Sequence, residues 1–499
     1  MNAEGIPLNT NSNLTVRRAM TFETTFKNYE NDLSELVREF LPLTADNFSL
    51  YLTGGWNGKN ELWAELISDK FQNFKKYYSF YVSDEERAYE GKALGGTPEI
   101  ILKRLEKRYL KIALYRTLQF LTGVSLPYGA LTGIRPTKLY YDLSGTGRAF
   151  EIFTENFSVS RDKALLIKSI VEEQEKIKSK SEKEVDVFVN IPFCPTRCAY
   201  CSFVSVPINK HEKYLKSYKN CLIQELSIIK NIISENNFEV RSLYFGGGTP
   251  TSLPTVLLKE ILSAADFRAS EFTVEAGRPD TLDKRTLNLL KSAGATRISI
   301  NPQTFNDATL LRIGRNHTAA DILKAYKLAK GMFDINMDLI AALPGETLGD
   351  FKASVDKAVE LAPENITVHT LSLKRGSELK QSGAALSAEQ TAEMIDYSYR
   401  ALTSAGYRPY YMYRQKYMSG NLENVGYAKE GKACKYNVDI MEETTSIIAA
   451  GAGAIGKRIF PAEYRIERQP NFKGVLDYIN RFDEIAQKKA EFWRQYRNQ

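Results

Sequence analysis

Three cysteines, Cys194, Cys198 and Cys201, lie within eight residues of one another in the run CPTRCAYC. Their spacing is C-x3-C-x2-C, and Tyr200 directly precedes the last of them. Thiolates are the soft ligands that hold iron–sulfur clusters, and thiolates this close together allow one short loop to wrap a single cluster. Because a [4Fe–4S] cube contains four irons, three protein thiolates would leave one iron open to a small molecule.

Two other uses of thiols fit this pattern less well. A disulfide joins cysteines in pairs, so three cysteines in one loop cannot all be paired there. A structural zinc site usually needs four ligands, commonly as two spaced pairs. Neither Cys434 nor the histidines His211, His317 and His369 form a second pair. The pattern therefore favours an iron–sulfur cluster with one open iron.

Glycines and polar residues follow short apolar runs further along the chain. Gly246 to Gly248 and Thr249 follow the run RSLYF, where glycines would let the backbone approach a ligand, although such a run alone is most often only a turn. A single polar residue at a strand end can simply cap a helix. Four polar residues around the opening of one barrel would suit a ligand with an ammonium, a carboxylate and a ribose. The four are Glu275, Gln303, Arg315 and Asp338.

The elements that must position these residues repeat between about residues 183 and 400. Six short apolar runs alternate with amphipathic helical stretches, which predicts parallel strands with right-handed crossovers in a barrel or an open α/β sheet. In parallel barrels the chemistry lies at the carboxyl ends of the strands, and the cysteine loop follows the first strand. The six runs are VDVFVNI, VRSLYFG, EFTVEA, TRISINP, INMDLIAAL and NITVHTL.

Regions of different character flank this core, so the length and pattern predict three domains. We expect an N-terminal accessory domain over residues 1–180, the core over 181–400 and a substrate-side region over 401–499. The first combines helical patterns with strands around Phe48–Leu52 and Tyr77–Val82, and a charged helix links it to the core. The last contains an aromatic and basic loop, the glycine-rich turn AAGAGAIGK and terminal helices.

Composition narrows the class of protein. Of the 499 residues, 43% are apolar and 25% are charged, as in a soluble globular protein. No apolar run approaches the roughly 20 residues of a membrane span, and the first residues lack the apolar core of a secretory signal. The net charge of +7 is spread along the chain, which favours anionic ligands without indicating nucleic acid. Few cysteines, three of them poised as thiolates, predict a reducing cytoplasm.

The motifs together resemble those of a known family. CPTRCAYC resembles the cluster loop of radical S-adenosylmethionine (SAM) enzymes, and GGGTPT resembles their glycine motif. With IPFC, VEAGRPDTL, the Gln303 segment, GRNH and DLIAALPGET, the pattern over about 183–400 is similar to that of oxygen-independent coproporphyrinogen III oxidases. LTGIRPTK and YYMYRQKYMSGNLENVGY resemble the longer, HemZ-type coproporphyrinogen dehydrogenases. The resemblance implies a partial (β/α)6 barrel with an N-terminal α+β domain and an α-rich C-terminal extension.

The resemblance also implies a role for each matching residue. Cys194, Cys198 and Cys201 would bind three irons of a [4Fe–4S] cluster, and the amine and carboxylate of SAM would chelate the fourth. One electron would cleave SAM to methionine and a 5′-deoxyadenosyl radical, which removes hydrogen from a propionate of coproporphyrinogen III. Loss of CO2 and an electron leaves a vinyl group, and two such events give protoporphyrinogen IX. The residues expected to contact SAM are Phe188, Tyr200, Gly247, Gly248, Thr249, Glu275, Gln303, Arg315 and Asp338.

Three positions depart from the best-studied members of this family. Phe188 stands where they have a tyrosine, Asn190 where they have a histidine, and Phe203 where they have a further cysteine. None of these changes touches cluster ligation. All three lie near the expected active site, so the handling of the substrate and of a second cofactor stays open.

The implied substrate is a tetrapyrrole with four carboxylates, so its site needs cations. Arg414 and Lys416, together with Arg135 and Lys138, lie in aromatic-flanked loops suited to a flat anionic macrocycle. Each of them can equally be an ordinary solvated residue. We expect a one-electron donor such as flavodoxin or ferredoxin, a monomeric protein, and no nucleic-acid or membrane partner.

Other functions compatible with the same motifs stay open. Heme-binding chaperones of the family share the cysteine spacing, but they carry an HNxxYW-like segment, whereas this chain has Tyr436-Asn437 in KYNVDIM and lacks that histidine. This difference favours the enzyme. A radical enzyme that modifies heme anaerobically would share the barrel motifs. A simple iron–sulfur electron carrier would need neither the glycine motif nor so large a barrel. Cys221 and Cys434 are interpreted as ordinary structural residues.

Overall fold

The computed structural model describes residues 20–41, 47–133, 135–372, 387–415 and 418–494. Within these ranges, the residues from 20 to 132 apart from Lys92–Gly96 form one structural unit, and Lys92–Gly96 with the residues from Gly133 onward form a second. The predicted boundary at residue 180 therefore lies instead near residue 132. The helix that we expected to be a linker belongs to the second unit, where Lys163 Nζ bonds Glu423 Oε1 at 2.7 Å inside the protein.

The first part of the chain is α+β, as predicted. Its elements are β1 (Thr21–Thr24), α1 (Glu30–Phe40), β2 (Ser49–Asn57), β3 (Glu61–Ser68), β4 (Phe74–Tyr81), α2 (Asp84–Leu94) and α3 (Pro98–Thr122). The sheet has the order β1-β2-β3-β4, with β1 parallel to β2 and the other pairs antiparallel. Alternate residues of β3 are buried (Leu62, Ala64, Leu66), so one face of the sheet packs on helices such as α3. Gly123 ends α3 in the left-handed conformation that favours glycine.

The second unit carries the alternation that the sequence predicts. Its helices are α4 (Pro136–Ser144), α5 (Ala149–Glu151), α6 (Arg161–Gln174), α7 (Leu215–Asn236), α8 (Thr255–Ala264), α9 (Lys284–Ser292), α10 (Asp307–Arg312), α11 (Ala319–Ala329), α12 (Leu348–Leu361), α13 (Ala388–Ser404), α14 (Lys435–Glu442), α15 (Val475–Asn480) and α16 (Phe482–Arg494). Its strands are β5 (Glu184–Ile191), β6 (Phe193–Cys194), β7 (Val206–Pro207), β8 (Glu239–Gly247), β9 (Glu271–Glu275), β10 (Arg297–Ser299), β11 (Asp334–Ala341), β12 (Asn365–Thr370), β13 (Arg408–Tyr413), β14 (Asn424–Ala428), β15 (Ser446–Ala450), β16 (Ile455–Phe460) and β17 (Arg465–Pro470).

All six predicted core strands are present and lie side by side. They pair in parallel in the order β5-β8-β9-β10-β11-β12, with one or two helices between successive strands. Parallel strands joined by helical crossovers place all their carboxyl ends at the same edge of the sheet. The predicted α/β core with six β/α units is thus confirmed, and the edge that carries the cysteine loop is called the mouth below.

The two faces of β5 show how the sequence specifies this layering. Val185, Val187 and Val189 are fully buried in the core formed with helices such as α7. The alternate residues, Asp186 and Phe188, point to the inner face of the sheet, because successive side chains of a strand point to opposite sides. The inner face therefore carries polar and aromatic groups, and the outer face carries the apolar core.

The C-terminal region, expected to be rich in α-helix, also contributes five strands, β13 to β17. They extend both ends of the core to give an eleven-stranded sheet, so residue 400 does not separate two structural units. β13 is antiparallel to β14, and β14 is antiparallel to β12, so β13 ends at the mouth. β15 is parallel to β5, so its glycine-rich turn also follows a strand end at the mouth.

No helix among the described residues is both long and apolar enough to cross a membrane.

Candidate functional site

The glycine run closes tightly over the start of the cysteine loop. Gly247 has φ of +99°, and a Cβ atom there would overlap the side chain of Asn190. A Cβ atom on Gly248 would lie 2.6 Å from Phe193 O. The backbone N–H groups of Gly248 and Thr249 donate to Ile191 O at 2.8 Å and Phe193 O at 2.7 Å. The glycines are therefore needed so that β8 can approach the segment that leads into the loop.

The cysteine loop is fastened to two neighbouring segments. Thr249 Oγ1 donates to Cys194 Sγ at 3.6 Å, which joins the glycine run directly to the first cysteine. On the other side, Ala199 N–H donates to Ile313 O at 3.0 Å, and Thr196 Oγ1 donates to Gly314 O at 3.0 Å. The two motifs that the sequence singled out thus meet at the mouth.

The thiols form a donor set that fits an iron–sulfur cluster. All three are half-buried, and burial raises the pKa of Cys194 and of Cys201. Thiols that stay protonated in apolar surroundings become ligands only when a metal binds and replaces the proton. Within the described parts of the chain, no three His, Cys, Asp or Glu side chains converge on a single metal ion. Three thiols on one loop instead suit a group with several irons.

Cations adjoin the middle cysteine. Arg278 Nη1 lies 3.9 Å from Cys198 Sγ, and the Arg315 guanidinium is a second positive charge close to Cys198. Arg315 is further held by Gly277 O at 3.2 Å, Asn301 O at 2.5 Å and the hydroxyl of Tyr200 at 3.1 Å. The predicted residues Arg315 and Tyr200 are thereby brought to the cluster loop, in contact with each other.

Glu275 lies at the end of β9 beside Tyr244 of β8. The Tyr244 hydroxyl donates to Glu275 Oε1 at 2.7 Å. Burial raises the pKa of Glu275 to about 7, and the negative charge of Asp338 adds to the rise, while the bonds from Tyr244 and the Gly247 backbone oppose it. A carboxylate of this kind changes charge near neutral pH and can accept hydrogen bonds from hydroxyls or an ammonium.

Asp338 faces the same interior from β11. Its Oδ1 accepts from Asn336 Nδ2 at 2.8 Å, and its Oδ2 lies 3.7 Å from His369 Nε2 on β12. Burial alone would raise its pKa, but His369 and the neighbouring donors outweigh burial and lower it. The other ring nitrogen of His369 lies 3.3 Å from the Tyr413 hydroxyl at the end of β13. A carboxylate, an imidazole and a phenol therefore form a chain across three strands at the mouth.

Gln303 extends the sheet beyond β10. Its N–H donates to Asp338 O at 2.8 Å, and its carbonyl accepts from Ile340 N–H at 2.9 Å. Its φ of +67° lies in the left-handed region, which is strained for a residue other than glycine. These two backbone bonds hold it there, and the residue is buried.

The three departures from the family pattern lie in different places. Phe188 stacks on Tyr436 inside the sheet, with ring centroids 5.9 Å apart. Asn190 lies at the mouth, where its side chain bonds Ala452 O in the glycine-rich turn after β15. Phe203 is 71% exposed. The first two are therefore built into the interior, and the third lies on the surface beyond the cysteine loop.

The predicted substrate cations are not gathered in one place. Arg414 follows β13 at the mouth, is 6% exposed and donates to Asn421 O at 3.1 Å. Lys416 lies outside the described residues. Arg135 instead bonds Glu443 Oε2 at 2.7 Å just before β15, at the edge opposite the mouth, because α4 packs there. Lys138 lies on α4 as well. A role at the mouth for Arg135 and Lys138 is therefore wrong.

Sequence reasoning did not single out three residues of the site. They are Tyr244, which bonds Glu275, His369, which faces Asp338, and Arg278, which reaches Cys198. Each lies on or just after a core strand, and the alternation of β8 and β12 could have placed the first two on the inner face. Nothing in the sequence around Arg278 indicates that its side chain points toward Cys198.

Comparison with known proteins identifies the family. The model of the radical SAM superfamily matches residues 189–358. The oxygen-independent coproporphyrinogen-III oxidase-like protein HemZ of Bacillus subtilis (strain 168) is 38% identical over 396 residues, which cover 76% of this chain and 79% of that protein. The chain belongs to the radical SAM family of oxygen-independent coproporphyrinogen III oxidases. Membership in the radical SAM superfamily implies a [4Fe–4S] cluster and SAM as cofactors.

Proteins with a different name are also similar to this chain. The heme chaperone HemW of Haemophilus influenzae (strain ATCC 51907 / DSM 11121 / KW20 / Rd) is 32% identical over 306 residues, covering 58% of this chain and 76% of that protein. Among solved structures, coproporphyrinogen III oxidase (HemN) from Escherichia coli matches with a TM-score of 0.49 and 20% identity, over 63% of this chain and 73% of that one.

Proposed function

We propose that this protein oxidatively decarboxylates two propionate side chains of coproporphyrinogen III to vinyl groups and so forms protoporphyrinogen IX. The observation that carries the proposal is the contact between the cysteine loop and the glycine run, in which Thr249 Oγ1 donates to Cys194 Sγ. It supports a cofactor site at the mouth of the parallel strands, where enzymes of this architecture carry their chemistry.

In this proposal Cys194, Cys198 and Cys201 ligate three irons of a [4Fe–4S] cluster, and SAM occupies the fourth. When bound, the pair supplies a 5′-deoxyadenosyl radical by one-electron cleavage of SAM. The protein's part is to hold SAM close to the substrate and to exclude water. The residues proposed to bind SAM directly are Tyr200, Gly247, Gly248, Thr249, Glu275, Gln303, Arg315 and Asp338.

The charges at the mouth suit the two ends of SAM. Glu275 and Asp338 are carboxylates that can accept bonds from ribose hydroxyls or the ammonium group. The Arg315 guanidinium is suited to a carboxylate, although here it already bonds two backbone carbonyls. Phe188 lies on β5 two residues before Asn190 and packs against the rings of both Tyr244 and Tyr436. We therefore propose an indirect part for Phe188, as support for the Tyr244–Glu275 pair.

Substrate recognition is proposed to use Arg414, and Lys416 with it. Arg414 follows β13, whose Tyr413 reaches the mouth, and a guanidinium can pair with a propionate carboxylate. Each propionate loses one hydrogen atom, CO2 and one electron, so the reaction needs a one-electron acceptor as well as the donor that starts SAM cleavage. We propose a small electron carrier such as flavodoxin or ferredoxin for both, in a reducing cytoplasm.

A heme chaperone is the second candidate, and the identity of 32% to HemW favours it. The chaperones' C-terminal histidine is absent here, and Tyr436 and Asn437 stand in KYNVDIM. Tyr436 is buried and stacks on Tyr244 with centroids 4.3 Å apart, and Asn437 Nδ2 donates to the Tyr410 hydroxyl at 3.3 Å. Both side chains are used for packing inside the sheet, which supports the enzyme over a heme-binding segment at this place.

Turnover under anaerobic conditions tests the two candidates directly. The full chain is reconstituted with iron and sulfide and given reductant, SAM and coproporphyrinogen III. Vinyl products with matching amounts of 5′-deoxyadenosine are expected, and Cys198→Ala should lose both the cluster and turnover. Tight heme binding without substrate-coupled 5′-deoxyadenosine would instead assign the chaperone function. Turnover retained by Cys198→Ala would overturn the cofactor site.

A further inference from the structure

Arg278 is a buried cation that reaches the cysteine loop from the end of β9. Its guanidinium is bound in parallel by the Asp280 carboxylate, with Nε to Oδ1 at 3.0 Å and Nη2 to Oδ2 at 3.1 Å. The remaining nitrogen, Nη1, donates to Thr196 Oγ1 at 2.9 Å and lies 3.9 Å from Cys198 Sγ. The residue is 3% exposed.

The backbone of Arg278 is fixed by local chemistry. Pro279 follows it and favours an extended conformation, and Arg278 has φ of −116° and ψ of 106°. Its carbonyl accepts from Thr281 Oγ1 at 2.8 Å, and that hydroxyl also lies 2.6 Å from Thr251 Oγ1 beside the glycine run. The backbone of Arg278 is therefore held by Thr281, and its guanidinium is held in one orientation by Asp280 and Thr196.

We propose that Arg278 raises the reduction potential of the iron–sulfur cluster that Cys198 helps to hold, through a charge-assisted N–H···S hydrogen bond. The inference rests on the proposed cofactor site and concerns its electron uptake. Reduction adds negative charge to the cluster, so a nearby cation stabilises the reduced form more than the oxidised form. Hydrogen bonds to the ligating sulfurs and nearby charge are two of the means by which proteins set such potentials.

The burial and orientation of Arg278 strengthen the effect of its charge at Cys198. A charge shielded from water interacts over short distances with little screening by salt. Asp280 neutralises part of the guanidinium charge, but it grips the Nε and Nη2 edge and leaves Nη1 facing the loop. The ion pair thus presents its positive end to Cys198. Arg315 is also close to Cys198, but its hydrogen bonds go to Tyr200 and to two backbone carbonyls.

Anaerobic redox titration of the reconstituted full chain, followed by the paramagnetic resonance signal of the reduced cluster without SAM, tests the inference. At the wild-type midpoint, Arg278→Gln should lower the ratio of reduced to oxidised cluster about tenfold, which is about 59 mV for a one-electron couple. Arg278→Lys keeps the charge and should lower the ratio less than Arg278→Gln does. An unchanged midpoint in Arg278→Gln would overturn the inference.

Controls separate charge at the loop from other effects. Arg285→Gln removes the same charge from an exposed position on α9, so its midpoint should match wild type, and an equal shift there would overturn the inference. Iron content is measured in the same samples, because a merely structural role for Arg278 would reduce cluster occupancy while the assembled fraction kept the wild-type midpoint.

A further variant covers failure of Arg278→Gln to assemble a cluster. Asp280→Asn keeps the arginine and removes its counter-charge, so the midpoint should rise; a fall or no change would overturn the inference. A wild-type chain that assembles no cluster would overturn the proposed function together with this inference. A wild-type cluster whose potential does not respond to these variants would overturn the inference alone.

Discussion

The hydroxyl of Tyr244 donates a hydrogen bond of 2.7 Å to Glu275 Oε1, across two neighbouring parallel strands at the mouth. Burial raises the pKa of this carboxyl to about 7, and the tyrosine bond opposes the rise. The charge that Glu275 offers to a cationic or hydroxyl-bearing ligand at neutral pH therefore depends on Tyr244.

Tyr244→Phe should weaken SAM binding in a pH-dependent way. A hydrogen bond to a charged group contributes about 1.5–3 kcal/mol, and about 1.4 kcal/mol corresponds to one pKa unit. Without the bond the Glu275 pKa rises further, so SAM affinity should fall about tenfold at pH 7 and less at pH 8.5, where the carboxylate is charged again. Calorimetric titration of the reconstituted protein at both pH values measures this.

Tyr436→Phe is the matched control for this variant, because Tyr436 stacks on Tyr244 but leaves the Tyr244–Glu275 bond in place. It should bind SAM as wild type does at both pH values. An equal loss of affinity for Tyr244→Phe at pH 7 and at pH 8.5 would show that the carboxylate charge is not what the bond controls.

Gly247→Ala should damage the cofactor site beyond the cost of backbone strain. Gly247 and Gly294 both have positive φ, so alanine at either position carries a strain of about 1–2 kcal/mol. Only at Gly247 would the new Cβ also overlap Asn190, whereas nothing lies within 4 Å of the Cβ at Gly294. Urea unfolding and SAM binding should show a larger loss of stability and at least a tenfold weaker affinity for Gly247→Ala. Equal behaviour of the two variants would contradict the overlap.

Lys489→Met should be strongly destabilising. Lys489 Nζ lies 3.3 Å from Glu225 Oε1, both side chains are fully buried, and Glu225 also accepts from the Gly451 N–H at 2.8 Å in the glycine-rich turn. Removing one partner leaves an unpaired buried charge, so the free energy of unfolding should fall by about 3–5 kcal/mol. Denaturant titration of the variant measures the loss.

Two further variants test the cause of the stability loss expected for Lys489→Met. Lys488→Met, at the exposed neighbouring position, should change the free energy of unfolding by no more than about 0.5 kcal/mol. Adding Glu225→Gln to Lys489→Met should recover part of the loss, because the unpaired charge is removed. A double variant no more stable than Lys489→Met would show that the loss comes from packing.

Asp186→Asn should change the pH dependence of stability. Asp186 is buried and accepts from Ser242 Oγ at 2.5 Å; burial, and then the charge of Asp439, raise its pKa from 3.8 to about 8. A group with a raised folded-state pKa contributes stability below its unfolded value and loses it as pH rises toward the folded value. From pH 5 to pH 8 the stability of Asp186→Asn relative to wild type should therefore rise, by about 3–4 kcal/mol.

Thermal or urea unfolding across this pH range measures that difference. Asp266→Asn removes an exposed carboxylate and should follow the wild-type profile. Parallel profiles for Asp186→Asn and wild type would show that Asp186 is charged throughout this range.

The core strands were predictable because their signal is local. The run VDVFVNI becomes β5, with its valines outward and Asp186 and Phe188 inward. The predicted boundary at residue 180 was wrong because it depends on distant contacts. Lys163 of α6 is joined to Glu423, and Thr137 of α4 donates to Glu442 Oε1 at 2.7 Å. No pattern within α4 or α6 indicates those partners.

The candidate site, too, has parts that the sequence determined and parts that depend on distant contacts. The sequence by itself determined the cysteine loop, the glycine run and the order of the strand ends, because residue type, spacing and periodicity over a few residues are enough to specify them. Only the tertiary structure decided that Arg278 points at Cys198, that Tyr244 holds Glu275, that His369 faces Asp338 and that Arg135 lies at the opposite edge. Those contacts join residues from different strands or loops, and their directions follow from the register and twist of the assembled sheet, which no single segment encodes.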